Sequence, residues 1–121
     1  MALKGVSAAA RRITACKAEF LAGGLLAGCP QYILWGYGGT GKALGRALAL
    51  HGRRPTHIVE LHPGRIGQRI GGASVIAPSS LPLVPQAPIV VSVAGAIPRG
   101  QIRRALDDMG YVEERDFVCA A

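Results

Sequence analysis

Short apolar runs alternate with helix-period patterns along most of this chain. Tyr32–Trp35 is a run of strand formers, and it leads through a glycine-rich stretch into Ala43-Leu44-Gly45-Arg46-Ala47-Leu48, a helical pattern expected to stop around His51-Gly52. Thr56–Leu61 predicts a second strand. Arg65–Gly72 is too rich in glycine for a crossover helix and predicts a loop with at most one turn. Ser74–Ala77 predicts a third strand, and the prolines at 82, 85 and 88 then predict an extended link over the surface. Ile89–Val93 is the strongest strand pattern, apolar and β-branched enough for the centre of a parallel sheet buried on both faces. Pro98 suits a first helical residue, and Ile102, Ala105, Leu106 and Met109 follow at helical spacing before Gly110 closes the segment. Asp116–Cys119 makes the last strand.

Alternation of strand and helix with right-handed crossovers predicts a Rossmann-like α/β fold: three layers around a mostly parallel sheet of about five strands. If the order is 3-2-1-4-5, the first and fourth strands meet at the point where the order reverses, which is where open sheets of this kind take ligands. Ahead of the sheet, Ser7–Ala27 is rich in Ala and Leu and predicts an extra N-terminal helix, broken near Gly23-Gly24. The chain therefore divides into a helical extension, residues 1–29, and an α/β domain, residues 30–121. Leu26-Ala27-Gly28-Cys29 has the form of a lipoprotein cleavage box. Glu19 abuts its apolar run, however, and the first strand follows with no tether, so a helix that packs on the sheet or joins something upstream is the preferred reading. No stretch reaches the roughly 20 apolar residues that span a bilayer. With three cysteines at no metal-ligand spacing, reduced thiols in a cytoplasmic protein are expected.

The glycine stretch carries the candidate chemistry. Gly36-Tyr37-Gly38-Gly39-Thr40-Gly41 fits G-x-G-x-x-G between a strand and a helix, the context such a motif requires. Gly36 then permits the tight reversal, Gly38 lets a phosphate approach the backbone, and Gly41 lets helix and strand pack closely. The N–H groups and dipole of the helix start favour an anion there. Gly36–Lys42 also fits G-x-x-x-x-G-K, but the following position is Ala43 rather than a metal-binding hydroxyl, and no later strand ends in a metal-binding Asp. A turn that only packs a helix on a sheet would use the same glycines.

Charge supports a phosphate-bearing ligand. The net charge is +7, and residues 42–69 concentrate it: Lys42, Arg46, Arg53, Arg54, Arg65 and Arg69 stand against Glu60 alone. Few aromatics to stack on bases and no recognised nucleic-acid motif argue against DNA or RNA. Glu60 lies at the carboxyl end of the second strand, 19 positions beyond Gly41, where a carboxylate is placed to hold a ribose diol; pairing with Arg65 is the plainer alternative. Gly95 and Arg99 border the other side of the expected crevice. Arg99, Arg103 and Arg104 precede Asp107 and Asp108 on one helix, against the helix dipole, a conflict that an anion near the helix start would relieve. The candidate nucleotide-binding residues are thus Gly36, Tyr37, Gly38, Gly39, Thr40, Gly41, Lys42, Glu60, Gly95 and Arg99.

Four blocks carry a resemblance: Ile33–Gly41, Val59–Pro63, Ile66–Ile76 and Gly110–Phe117. Together they resemble the Rossmann-like domain at the C-terminus of some bacterial family 2 glycosyltransferases. The first three are also similar to the nucleotide-sugar-binding N-terminal domain of bacterial sugar O- and N-acetyltransferases of the sialic-acid and bacillosamine type. The resemblance covers roughly residues 30–121 and implies that Gly36, Gly38, Gly39 and Gly41 line a nucleotide phosphate while Glu60 reaches the ribose or base. Those families usually place Asp where this chain has Glu60, and often Asp or Asn where it has His62.

Catalytic constellations are not recognisable. No Asp-x-Asp stands ready for the metal of a sugar-nucleotide transferase, Tyr111 is followed by Arg115 where a dehydrogenase needs Lys, and His51, His57 and His62 have no partner at a recognisable spacing. The expected function is a nucleotide-binding module, with a nucleotide sugar or NAD(P) as ligand and no complete reaction of its own, associated with a glycosyltransferase domain. An NAD(P)-binding oxidoreductase fragment is the alternative from the enzyme class. A scaffold with an empty pocket, forming a homo-oligomer through its N-terminal helix, is the third.

Overall fold

Ser7 opens the first helix: its hydroxyl accepts a hydrogen bond from the Ala10 N–H at 3.0 Å, and the helix α1 runs Ala8–Gly23 before the glycine pair ends it. The computed structural model describes residues 7–121, so the first six residues of the expected extension lie outside it. The remaining elements are β1 (Gln31–Trp35), α2 (Gly39–Ala49), β2 (Arg54–Val59), β3 (Arg69–Ile70), β4 (Ala73–Ile76), a 3-10 helix (Pro78–Leu83), β5 (Ile89–Val91), α3 (Ala96–Asp108) and β6 (Phe117–Cys119).

The fold is α/β with a six-stranded, mostly parallel sheet in the order β3-β4-β2-β1-β5-β6. The five expected strands lie in the order 3-2-1-4-5, with β1 paired parallel to both β2 and β5. Side chains alternating along each strand split the core between two faces. Tyr32, Leu34 and Val90 pack with Ala18 and Leu21 of α1 and with Leu44 and Leu48 of α2. Ile33, Trp35, Ile89 and Val91 pack on the other face with Leu81, Ile102 and Leu106. The second half of α1 thus shares a core with the sheet. No helix among the described residues is long and apolar enough to cross a membrane.

Two expectations are corrected. The loop expected over Arg65–Gly72 contains a sixth strand: β3 pairs antiparallel with β4 through Gly71-Gly72, whose φ values of 56° and 88° suit the two-residue hairpin turn that needs positive φ at both positions. The proline link is not extended throughout. Pro78–Leu83 winds into a 3-10 helix with Pro near its start, where no N–H is missed, and it anchors Leu81 in the core.

Tyr32 is fully buried, and its hydroxyl finds no hydrogen-bond partner among the described residues. Tyr32→Phe should therefore leave stability at neutral pH unchanged or raise it by roughly 1 kcal/mol in urea denaturation. Burial pushes the phenol up to about 12. Because the folded chain holds this proton more tightly than the unfolded one, the stability that depends on it is complete below the ordinary tyrosine value. It should fall as pH rises from about 10 toward 12, at up to about 1.4 kcal/mol per pH unit, and Tyr32→Phe should flatten that part of the pH profile.

Candidate functional site

Parallel strands deliver their carboxyl ends to one edge of the sheet, and the candidate residues gather there. The Gly36 N–H still bonds the Val59 carbonyl at 3.0 Å, so the ladder continues one residue beyond β1. The chain then reverses with Gly36 at φ 100°, a conformation that favours glycine, and a Cβ here would also come within 2.7 Å of Val93. At Gly41 a Cβ would run into the Gly36 carbonyl oxygen and lie 2.8 Å from Ser92 Oγ. Gly36 and Gly41 thus have the steric roles read from their spacing.

Gly38 caps α2 in extended conformation without a side-chain hydrogen bond, and the first turn holds no acidic residue. The opening N–H groups of the helix, from Gly39, Thr40 and Gly41, point out of its end. A Cβ at Gly38 or Gly39 would meet nothing within 4 Å, so the backbone is open on that side. Positive charge flanks it: Lys42 Nζ lies 5.6 Å from the centroid of the Tyr37 ring, and Arg65 Nη1 donates to the Tyr37 carbonyl at 2.9 Å.

Arg65 also reaches Glu60, donating to Oε2 at 3.2 Å, while Oε1 accepts from the Leu61 N–H at 3.0 Å. The ion pair weighed for Glu60 is formed. One guanidinium therefore ties the glycine turn to the carboxylate at the end of β2, and a carboxylate with four lone-pair sites retains capacity for further donors.

Beside this edge lies a cleft of about 340 Å³ between the end of β2 and α3. Trp35, Val59, Val93 and Ile102 give it apolar walls, Gly36 and Glu60 stand at its border with the turn, and Gln101 enters from α3. Volume and lining suit a flat, largely apolar ligand group.

Of the ten residues picked from the sequence, Gly36 and Glu60 line the cleft, and Tyr37–Lys42 form the adjoining turn and helix start. Gly95 caps α3 without a side-chain hydrogen bond and with φ 99°, so a second glycine-capped helix begins at this edge. Arg99 turns elsewhere: its Nη1 donates to the Ala121 carbonyl at 3.3 Å. Arg103, exposed on the same helix, forms three hydrogen bonds with the Glu113 carboxylate.

Sequence reasoning missed Ser92 and Gln101, and the second contact of Arg65. Ser92 is buried, and its hydroxyl lies 2.8 Å from the Gly36 carbonyl it donates to, fastening the turn to the end of β5; a lone hydroxyl inside an apolar strand run was its signal. Arg65 gave no local signal for its hold on Tyr37. Gln101 was visible as a polar residue on an otherwise apolar helical stripe. No family model, curated protein or solved structure matches the chain.

Proposed function

We propose that this chain is a Rossmann-like module that binds a phosphate-bearing nucleotide across the carboxyl edge of its sheet, with the phosphates at Gly38–Lys42 and the nucleoside in the cleft beside Glu60. The observation that carries this reading is the contrast in helix capping. α1 is capped by the Ser7 hydroxyl, whereas α2 and α3, which both start at the carboxyl edge, have glycine caps with no side-chain hydrogen bond. A helix start left in this way offers free N–H groups and a positive dipole end to an external anion. The apolar cleft next to α2 then gives the organic part of that anion a place to bind.

A nucleotide sugar and NAD(P) share the diphosphate this arrangement addresses, so both remain ligands of the proposal. The module holds the nucleotide for chemistry supplied by another domain: a glycosyltransferase domain in the first case, a substrate domain of an oxidoreductase in the second.

Purified chain should be stabilised by nucleoside diphosphates, by about 2.7 kcal/mol at 100 times the dissociation constant, a shift readily seen in thermal melts and confirmed by calorimetry. Gly38→Asp is the decisive variant. Gly38 has φ −86° and open space around it, so the substitution fits. The new carboxylate caps α2 and should raise stability by roughly 0.5 kcal/mol, while its charge occupies the phosphate position and abolishes binding. Nucleotide affinity equal to that of the unsubstituted chain would refute this pocket.

A further inference from the structure

The α3 face that lines the cleft is Pro98, Gln101, Ile102 and Ala105, spaced i, i+3, i+4 and i+7. Such a stripe is ordinarily apolar throughout. Gln101, itself exposed, is the polar member of this face and stands beside buried Ile102. Its amide has no hydrogen-bond partner among the described residues. Glu60, the other polar side chain of the cleft, is engaged by Arg65 and by the Leu61 N–H. Gln101 is therefore the one neutral side chain in the lining that can offer a donor and an acceptor together.

We infer that the cleft is a base pocket selective for adenine, with Gln101 reading the base edge. The inference rests on the nucleotide-binding reading above and names the base. An amide presents one N–H donor beside one carbonyl acceptor, and adenine presents the complementary pair, the N7 acceptor beside the N6 donor. Walls of Trp35, Val59, Val93 and Ile102 suit the two faces of a bicyclic base.

Calorimetry of the full chain with ADP, IDP, UDP and GDP tests this. IDP is the discriminating probe, because it replaces the N6 donor of ADP by an oxygen acceptor and leaves the ring shape intact. ADP should bind most tightly, roughly tenfold or more above IDP. In Gln101→Leu the ADP-to-IDP ratio should collapse to about one while the melting temperature is retained, since the residue is exposed and its amide unpaired. UDP or GDP binding as well as ADP, or an unchanged ratio in Gln101→Leu, would overturn the adenine assignment and leave the nucleotide reading standing. Absence of binding by all four nucleotides would overturn both.

Discussion

Gly41→Ala should lower the unfolding free energy by roughly 3 kcal/mol and the melting temperature by roughly 10 °C, as followed by denaturant and thermal unfolding. Gly41 is buried in the first turn of α2, and its neighbours leave no room for a methyl group. One obstacle is the Gly36 carbonyl oxygen, which cannot swing aside as a side chain could. Gly36 is fixed through its N–H to Val59 and through its carbonyl to Ser92 Oγ. The other obstacle is Ser92 Oγ itself, 2.8 Å from the added carbon. The double variant Gly41→Ala/Ser92→Ala separates the two. It removes the hydroxyl but not the carbonyl, so it should stay strongly destabilised. Gly38→Ala, with open space at the same turn, is the matched control and should unfold close to the unsubstituted chain. Native-like stability in Gly41→Ala would mean that α2 lifts from the turn at little cost, and that the tight packing of glycine turn against strand does not hold the site.

Arg53→Ala should cost about 2 kcal/mol and should loosen one element selectively. Arg53 follows α2, yet its guanidinium reaches across to α1: Nη2 donates to the Ala22 carbonyl at 3.1 Å and Nε to the Leu26 carbonyl at 3.2 Å. The Ala22 carbonyl lies in the last turn of α1, where the helix supplies no further N–H, and the Leu26 carbonyl in the turn after it also accepts from the Cys29 N–H at 2.9 Å. A third bond, from Nη1 to the His51 carbonyl at 2.6 Å, holds the guanidinium in place. Hydrogen exchange should therefore show amide protection falling through α1 in Arg53→Ala while β1, β2 and β5 keep theirs. Arg53→Lys should recover only part of the loss, since a single ammonium cannot reproduce the planar fork. Unchanged protection in α1 would assign its docking to Ala18, Leu21 and Leu26 alone.

Most of the architecture was legible because it follows from local periodicity. The apolar runs at 32–35 and 89–93, the helical spacing after Gly41 and after Pro98, and the handedness of crossovers point to a mostly parallel sheet. The misreadings also had local causes. Gly71-Gly72 was taken only as a breaker, although two consecutive glycines are what a hairpin turn with positive φ at both positions requires. The prolines at 82, 85 and 88 suggest a surface link, but Pro78 suits the first turn of a 3-10 helix that also takes in Pro82, with Leu81 as its anchor.

By itself, then, the sequence determined five of the strands, the α-helices and the glycine turn at the carboxyl edge, because each depends on residues a few positions apart. Only the tertiary structure decided which side chains face that edge. Arg65 meets Tyr37 across 28 positions and Ser92 meets Gly36 across 56, whereas Arg99, expected in the crevice, bonds Ala121 instead. The cleft beside Gln101 exists only where the end of β2 is brought against α3. Side-chain partners of this kind are fixed by the packing of whole elements, and local pattern carries no record of where a long, flexible arginine or a helix-borne amide finds its neighbour.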